Sequence, residues 1–305
     1  MFKGLQTYLL RKKQILCPVI FYGYGTVILL EVVAIVFVFA IWWLNHNPSL
    51  EGMWKDFHGS NDIIGTFCER LQLDKPVRQP VNTFSSIFYL MAAIIIFKKT
   101  WLEKKNNRNY SFNKTSFVPE VFFGFVLLYV FCASSFYHAS LIKPALKLDY
   151  SAVYFFSLFP AMFFSWRRSL ISNGRQLRIS NKALTIVFHS IYIIIAILLS
   201  FYTPKGKEHI VIFINILIFF SFSAATAFAK PKKNNVNYLL LSMVCIVVAL
   251  VWFELDKYRI LCNPDSYFQP HSFWNLFIAL SGFYFYVYMR NEGMKPATPI
   301  KMHSV

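Results

Sequence analysis

A handful of polar side chains stand out in a chain otherwise built to avoid water. Ser134 and His138 lie four residues apart, as do His271 and Asn275, so on a helix each pair shares one face. Asp149 follows shortly after the first pair, and Glu254 and Asp256 shortly precede the second. Neutral imidazoles bind zinc well, and a catalytic zinc takes about three protein ligands plus a water whose pKa it lowers toward ~7. His138 and His271 supply two such ligands. The third is open between the carboxylate of Asp149 and the neutral amide oxygen of Asn275, the poorer donor. Ser134 reads either as a nucleophile beside His138 or as a small residue for close helix packing. The plain alternative for each histidine is a hydrogen-bonded core residue, and spacing alone does not choose.

The elements that must position these groups are transmembrane helices. The 305 residues are 56% hydrophobic, 19% aromatic and only 15% charged, with a mean hydropathy of +0.46. Soluble domains carry roughly 25% charged residues, so a water-facing globule and a disordered chain are both excluded. Apolar stretches long enough for the bilayer core, about 20 helical residues, run approximately over 22–44, 82–97, 118–138, 149–166, 183–202, 209–229, 237–256 and 271–289. The first follows a basic RKK run at 11–13, but it is long and no small-residue cleavage site follows, so it reads as a retained anchor. Glu31 sits near its middle, where an intramembrane carboxylate is costly and is expected to face other helices.

The net charge of +17 would suggest nucleic acid in a soluble protein, and that partner is set aside here. Of the 31 Lys and Arg, 21 fall in one set of alternate loops and 10 in the other. The basic side is read as cytoplasmic, which places both termini there and the loop before residue 82 outside. The third helix then runs outward to Ser134 and His138, Asp149 opens the fourth at the outer surface, the seventh ends outward at Glu254 and Asp256, and the eighth begins there with His271 and Asn275. Polar groups from separate segments thus meet at one membrane depth, and a shared polar cavity resolves their cost in lipid. Charges grouped at one face, and not at the midplane, argue against a transporter.

Three segments carry a resemblance. SSFYHASLIKPALKLD, with its Ser-x3-His-x10-Asp spacing from Ser134 through His138 to Asp149, resembles the signature of the alkaline ceramidase family. FELDKYRILCNPDSYFQPHSFWN is similar to that family's closing region, and FCERLQLDKPVRQPVNTFSS to its Cys-Glu segment and the start of its first core helix. The agreement spans about 66–290 in order and spacing. The resemblance implies an all-α integral membrane fold: a seven-transmembrane ceramidase-like bundle over 82–290, plus one additional N-terminal transmembrane helix within 1–45, an extracytoplasmic loop 46–81 and a cytoplasmic tail 291–305. It implies a zinc-dependent amidohydrolase acting on ceramide or a related N-acyl lipid of the membrane.

Matched residue by residue, His138 and His271 correspond to two zinc ligands, and Ser134 and Asp149 to the polar groups beside the metal and its water. Asn275 stands where the family has a third histidine. That departure raises an alternative, a catalytically impaired member that binds a lipid or a protein partner. The family's acidic calcium cluster is matched only at Glu69, with Thr66, Phe67, Leu71 and Gln79 at the other places. Hard cations want several oxygen ligands, so no family-type calcium site is expected, and Glu69 with Arg70 reads as a solvated loop pair. The family's pairing implies a Cys68–Cys262 disulfide, the two being the outer-side cysteines, where an oxidising compartment permits a bridge. Cys17, Cys132 and Cys245 read as packing residues. His46, His58, His189, His209 and His303 are expected to have no part in the chemistry.

Overall fold

The computed structural model describes residues 24–56, 67–105, 118–176, 181–204, 206–229 and 233–293. Nine α-helices lie among them: α1 Tyr24–His46, α2 Pro80–Ser85, α3 Ile87–Lys105, α4 Val118–Ser140, α5 Lys143–Gln176, α6 Asn181–Tyr202, α7 Glu208–Ala229, α8 Lys233–Lys257 and α9 Pro270–Gly293. No strand occurs among the described residues. Five stretches are long and apolar enough to cross a membrane: Gly25–His46, Pro80–Leu102, Val118–Ser140, Lys182–Tyr202 and Val236–Lys257. The apolar run Ile210–Ala225 is shorter. The chain is therefore an all-helical, multi-pass membrane protein. Runs of Val, Ile, Leu and Phe without internal breakers let the backbone satisfy its own hydrogen bonds, which lipid demands.

Two expected segments differ from what is observed. The 82–97 segment is broken into α2 and α3 at Ser86. Pro80 starts α2 at its first turn, and the Ser85 hydroxyl donates to the Asn82 carbonyl at 2.8 Å, competing with the helix ladder as such side chains do. The 149–166 segment is the middle of a longer helix. α5 begins at Lys143 and continues to Gln176 through Pro160, so Asp149 lies in its second turn and does not open it.

α4, α5, α8 and α9 surround an aromatic core. Phe123 packs on Phe159 at 4.6 Å between ring centroids and on Phe285 at 5.8 Å. Gly124 lets α3 come close, since a Cβ there would sit 2.6 Å from the Phe97 ring; small residues serve this purpose between membrane helices. α1 stands at the periphery. Phe37 meets Phe131 at 5.3 Å and Phe84 at 6.5 Å, and Asn45 clasps the backbone of Val77 in both directions, at 3.1 and 2.9 Å. Glu31 lies on its exposed surface and does not face other helices, because α1 is held chiefly by its half nearer His46. Cys132 is likewise exposed, while Cys245 is buried. Cys17, His58, Thr66 and His303, the RKK run and residues 294–305 lie outside the described residues, as does the side chain of His209.

Candidate functional site

The site forms where α4 ends and α9 begins, and a short irregular segment ties the two together. Arg78 and Gln79 donate their backbone N–H groups to the carbonyls of Ala139 and His138, at 3.0 and 3.1 Å. That seats Gln79 against the last turn of α4, where its Oε1 lies 2.7 Å from His138 Nδ1. Cys68 and Cys262 are joined in a disulfide across 194 positions of sequence. The Cys68 amide donates to Asp256 Oδ1 at 2.9 Å, and the other oxygen, Oδ2, lies 3.4 Å from His271 Nδ1.

His138 and His271 therefore meet. Their ring centroids are 4.6 Å apart, both residues are at least nine-tenths buried, and each Nδ1 addresses a neighbouring side-chain oxygen. Neither Nε2 has a protein partner among the described residues. Gln79 thus fixes the His138 ring by a hydrogen bond, whereas Asp256 Oδ2 stands beside His271 Nδ1 without making one; a carboxylate or amide oxygen on the second ring nitrogen is what orients a metal-bound imidazole. Phe67 stacks edge-on over both rings, at 5.2 and 4.7 Å, and shields them from the loop side.

Asn275 is engaged elsewhere. Its Oδ1 accepts from the Tyr89 hydroxyl at 3.0 Å and its Nδ2 donates to Ser85 Oγ at 2.8 Å. Ser134 accepts a hydrogen bond from Ser86 Oγ at 3.1 Å. The break at Ser86 thus gives α2 and α3 two adjacent serines that address two different site residues. Among the described residues no group of three or more His, Cys, Asp or Glu gathers as a metal cluster. Two imidazoles thus stand side by side, and Asp149 and Asn275 line the same cavity as His271.

A cavity of about 840 Å³ opens beside the rings, within the range of ligand pockets. Ser134, Asp149, Asp256, His271 and Asn275 all line it, and His138 does not. Phe123, Phe156, Phe219, Leu250 and Ile278 give it apolar walls. The sequence-selected polar groups are thus brought to one end of the bundle and, His138 excepted, to one cavity.

Glu69 departs from its reading as a solvated loop residue. It is 5% exposed, and its two carboxylate oxygens accept from the Val81 and Asn82 amides, at 2.7 and 2.8 Å, at the start of α2. Burial pushes its carboxyl up to about 7, against those two hydrogen bonds, and the nearby Asp256 pushes the same way. The arrangement caps a helix. Arg70 pairs with Asp265 at 2.7 Å on the surface instead. Sequence reasoning missed the supporting set of Gln79, Phe67, Tyr89, Ser85 and Ser86. In the sequence Gln79 and Phe67 stand out only at positions matched to calcium ligands, Ser85 only within the matched helix start, and nothing local marks Tyr89 or Ser86.

In comparison with known proteins, no family model, no curated protein and no solved structure matches the chain.

Proposed function

We propose that the chain is a membrane-embedded hydrolase of N-acyl lipids, ceramide or a related amide, with the ceramidase-like arrangement of seven membrane helices preceded by α1. In this reading all eight long helices cross the bilayer, both termini are cytoplasmic and the site faces the outer side. The observation that carries it is the meeting of His138 and His271, the first held at Nδ1 by Gln79, the second with Nδ1 beside the Asp256 carboxylate, and both with Nε2 unengaged. Zinc held by these two rings, with Asp149 or Asn275 completing the shell, supplies Lewis acidity toward a carbonyl and a lowered pKa for water.

The protein's own residues do the rest. Asp149, on the cavity wall, takes a proton from the attacking water and returns it to the departing amine. Ser134, whose oxygen accepts from Ser86, keeps its own proton to donate to the developing oxyanion. The C–N bond breaks, hydroxide joins the acyl carbon and the proton goes to nitrogen, giving a fatty acid and an amine. The apolar walls hold the chain and exclude water from it. Detergent-purified protein is expected to hold zinc near one equivalent and to release fatty acid from an N-acyl sphingoid or N-acyl amine. Absence of both metal and release overturns the reading.

The engagement of Asn275 by Tyr89 and Ser85 favours a second reading, a catalytically impaired relative that binds lipid. Asn275→His separates the two. Activity that rises from nothing together with zinc content marks a binder; activity already present marks an enzyme with two imidazoles.

A further inference from the structure

The mouth of the cavity carries charges that the proposed hydrolysis does not use. Lys143 and Lys147 stand one turn apart in the first two turns of α5, both exposed, and both line the cavity. Neither has an acidic partner among the described residues. The same cavity is also lined by the carboxylates of Asp149, Glu208, Glu254 and Asp256 and by Lys257. Lys257 lies 3.8 Å from Glu254, and Glu208 occupies the first turn of α7, where the helix N–H groups stabilise a carboxylate. The first turn of α5 holds no acidic residue. Two ammonium groups at the positive end of a helix dipole repel it and each other, which is unfavourable until an anion sits between them.

An independent observation falls at the same spot. Tyr137 lines the cavity, is 1% exposed, and its hydroxyl has no hydrogen-bond partner. It belongs to a buried cluster that includes Ala145 and, at its edge, Leu146 of α5. A buried hydroxyl left unpaired costs free energy that a ligand's acceptor oxygen recovers. Asp149, two residues beyond Lys147, and the aromatic walls line the same cavity.

We propose that Lys143, Lys147 and Tyr137 form a headgroup subsite, and that the ligand is an N-acyl lipid with an anionic group, carboxylate or phosphate, a few bonds from its amide. The chain lies among the phenylalanines and the anion at the mouth. The proposal names the substrate class of the hydrolase reading and rests on that reading for the scissile amide, though not for binding.

The test uses the full chain in lipid nanodiscs with four probes. N-palmitoylglycine and an N-palmitoyl sphingoid phosphomonoester are anionic; N-palmitoylethanolamine and the unmodified N-palmitoyl sphingoid are neutral. Each competes with a fluorescent fatty amide. The anionic probes are expected to bind roughly tenfold tighter, an advantage that shrinks with added salt. Lys143→Ala with Lys147→Ala removes that advantage and leaves neutral binding within about twofold, and charge reversal to Glu inverts the preference. Tyr137→Phe weakens the anionic probes by several-fold alone. Equal affinity for all four, or equal losses in the lysine variant, overturns the subsite. Fatty-acid release is followed in the same samples. Anionic preference without release sinks the hydrolase reading alone, and release from neutral probes that ignores the lysines sinks the subsite alone.

Discussion

Asp256 Oδ2 lies 3.4 Å from His271 Nδ1 while Oδ1 of the same carboxylate takes the Cys68 amide at 2.9 Å. One side chain therefore couples the disulfide loop to a ring of the site. Asp256→Asn keeps an acceptor for Cys68 but replaces the carboxylate oxygen facing His271 Nδ1 with an NH2 group. Outer-sphere changes of this type cost about 10–100-fold in metal affinity. A zinc competition titration reads this directly, and an unchanged affinity shows that Asp256 does not orient His271.

The disulfide makes a second prediction. Bridging positions 194 apart removes much freedom from the unfolded chain, and losing such a bridge costs roughly 2–5 kcal/mol. Cys68→Ser with Cys262→Ser is expected to lower the melting temperature by several degrees and to abolish the mobility difference between reduced and oxidised protein on gels. It also weakens zinc binding through Asp256. Loss of stability with full metal affinity separates the bridge from the site.

Glu69 predicts a pH dependence whose sign follows from its raised pKa. The folded state holds this proton up to about 7, whereas an unfolded glutamate releases it near ~4.3. Between those values the native state binds more protons, so stability is greatest at the acid end, falls as pH rises toward 7 and is level above. The full swing is on the order of 3 kcal/mol. Glu69→Gln flattens this slope in melting curves taken across pH 4 to 8, at the cost of one amide hydrogen bond to α2. A slope that persists in the variant assigns it to another group.

Asn45 predicts how α1 is held. Its amide clasps Val77 in both directions, two residues before the Gln79 that orients His138. Asn45→Ala is expected to cost about 1–3 kcal/mol. It should also abolish a crosslink between cysteines placed at Phe37 and Phe84, whose rings lie 6.5 Å apart. Retention of the crosslink shows that packing alone seats the helix.

The parts legible in the sequence were those written in long-period patterns. Apolar runs gave the helices because bilayer thickness sets their length, and i, i+4 spacing put Ser134 with His138 and His271 with Asn275. The contacts that complete the site were illegible for a physical reason. Gln79 reaches His138 only because an irregular stretch lies along the end of α4, and Ser85 and Ser86 reach Asn275 and Ser134 only through packing against α9 and α4; neither contact has a periodic signature. Glu69 was misread because a charged residue in a loop looks solvated until the helix it caps is known. Glu31 was misread from the other direction, since its cost in lipid argued for a buried face that α1 does not offer.

The bridge between Cys68 and Cys262 also constrains how the protein is made. Its second sulfur emerges from the ribosome only after seven of the long helices, so through most of synthesis the first is an unguarded thiol. Closure of the bridge is therefore expected to come late in assembly, after residue 262 has joined the loop that carries Cys68. Biogenesis in a strain lacking thiol oxidase should stall at that last step, yielding inserted but unlocked chains that proteases of the compartment remove.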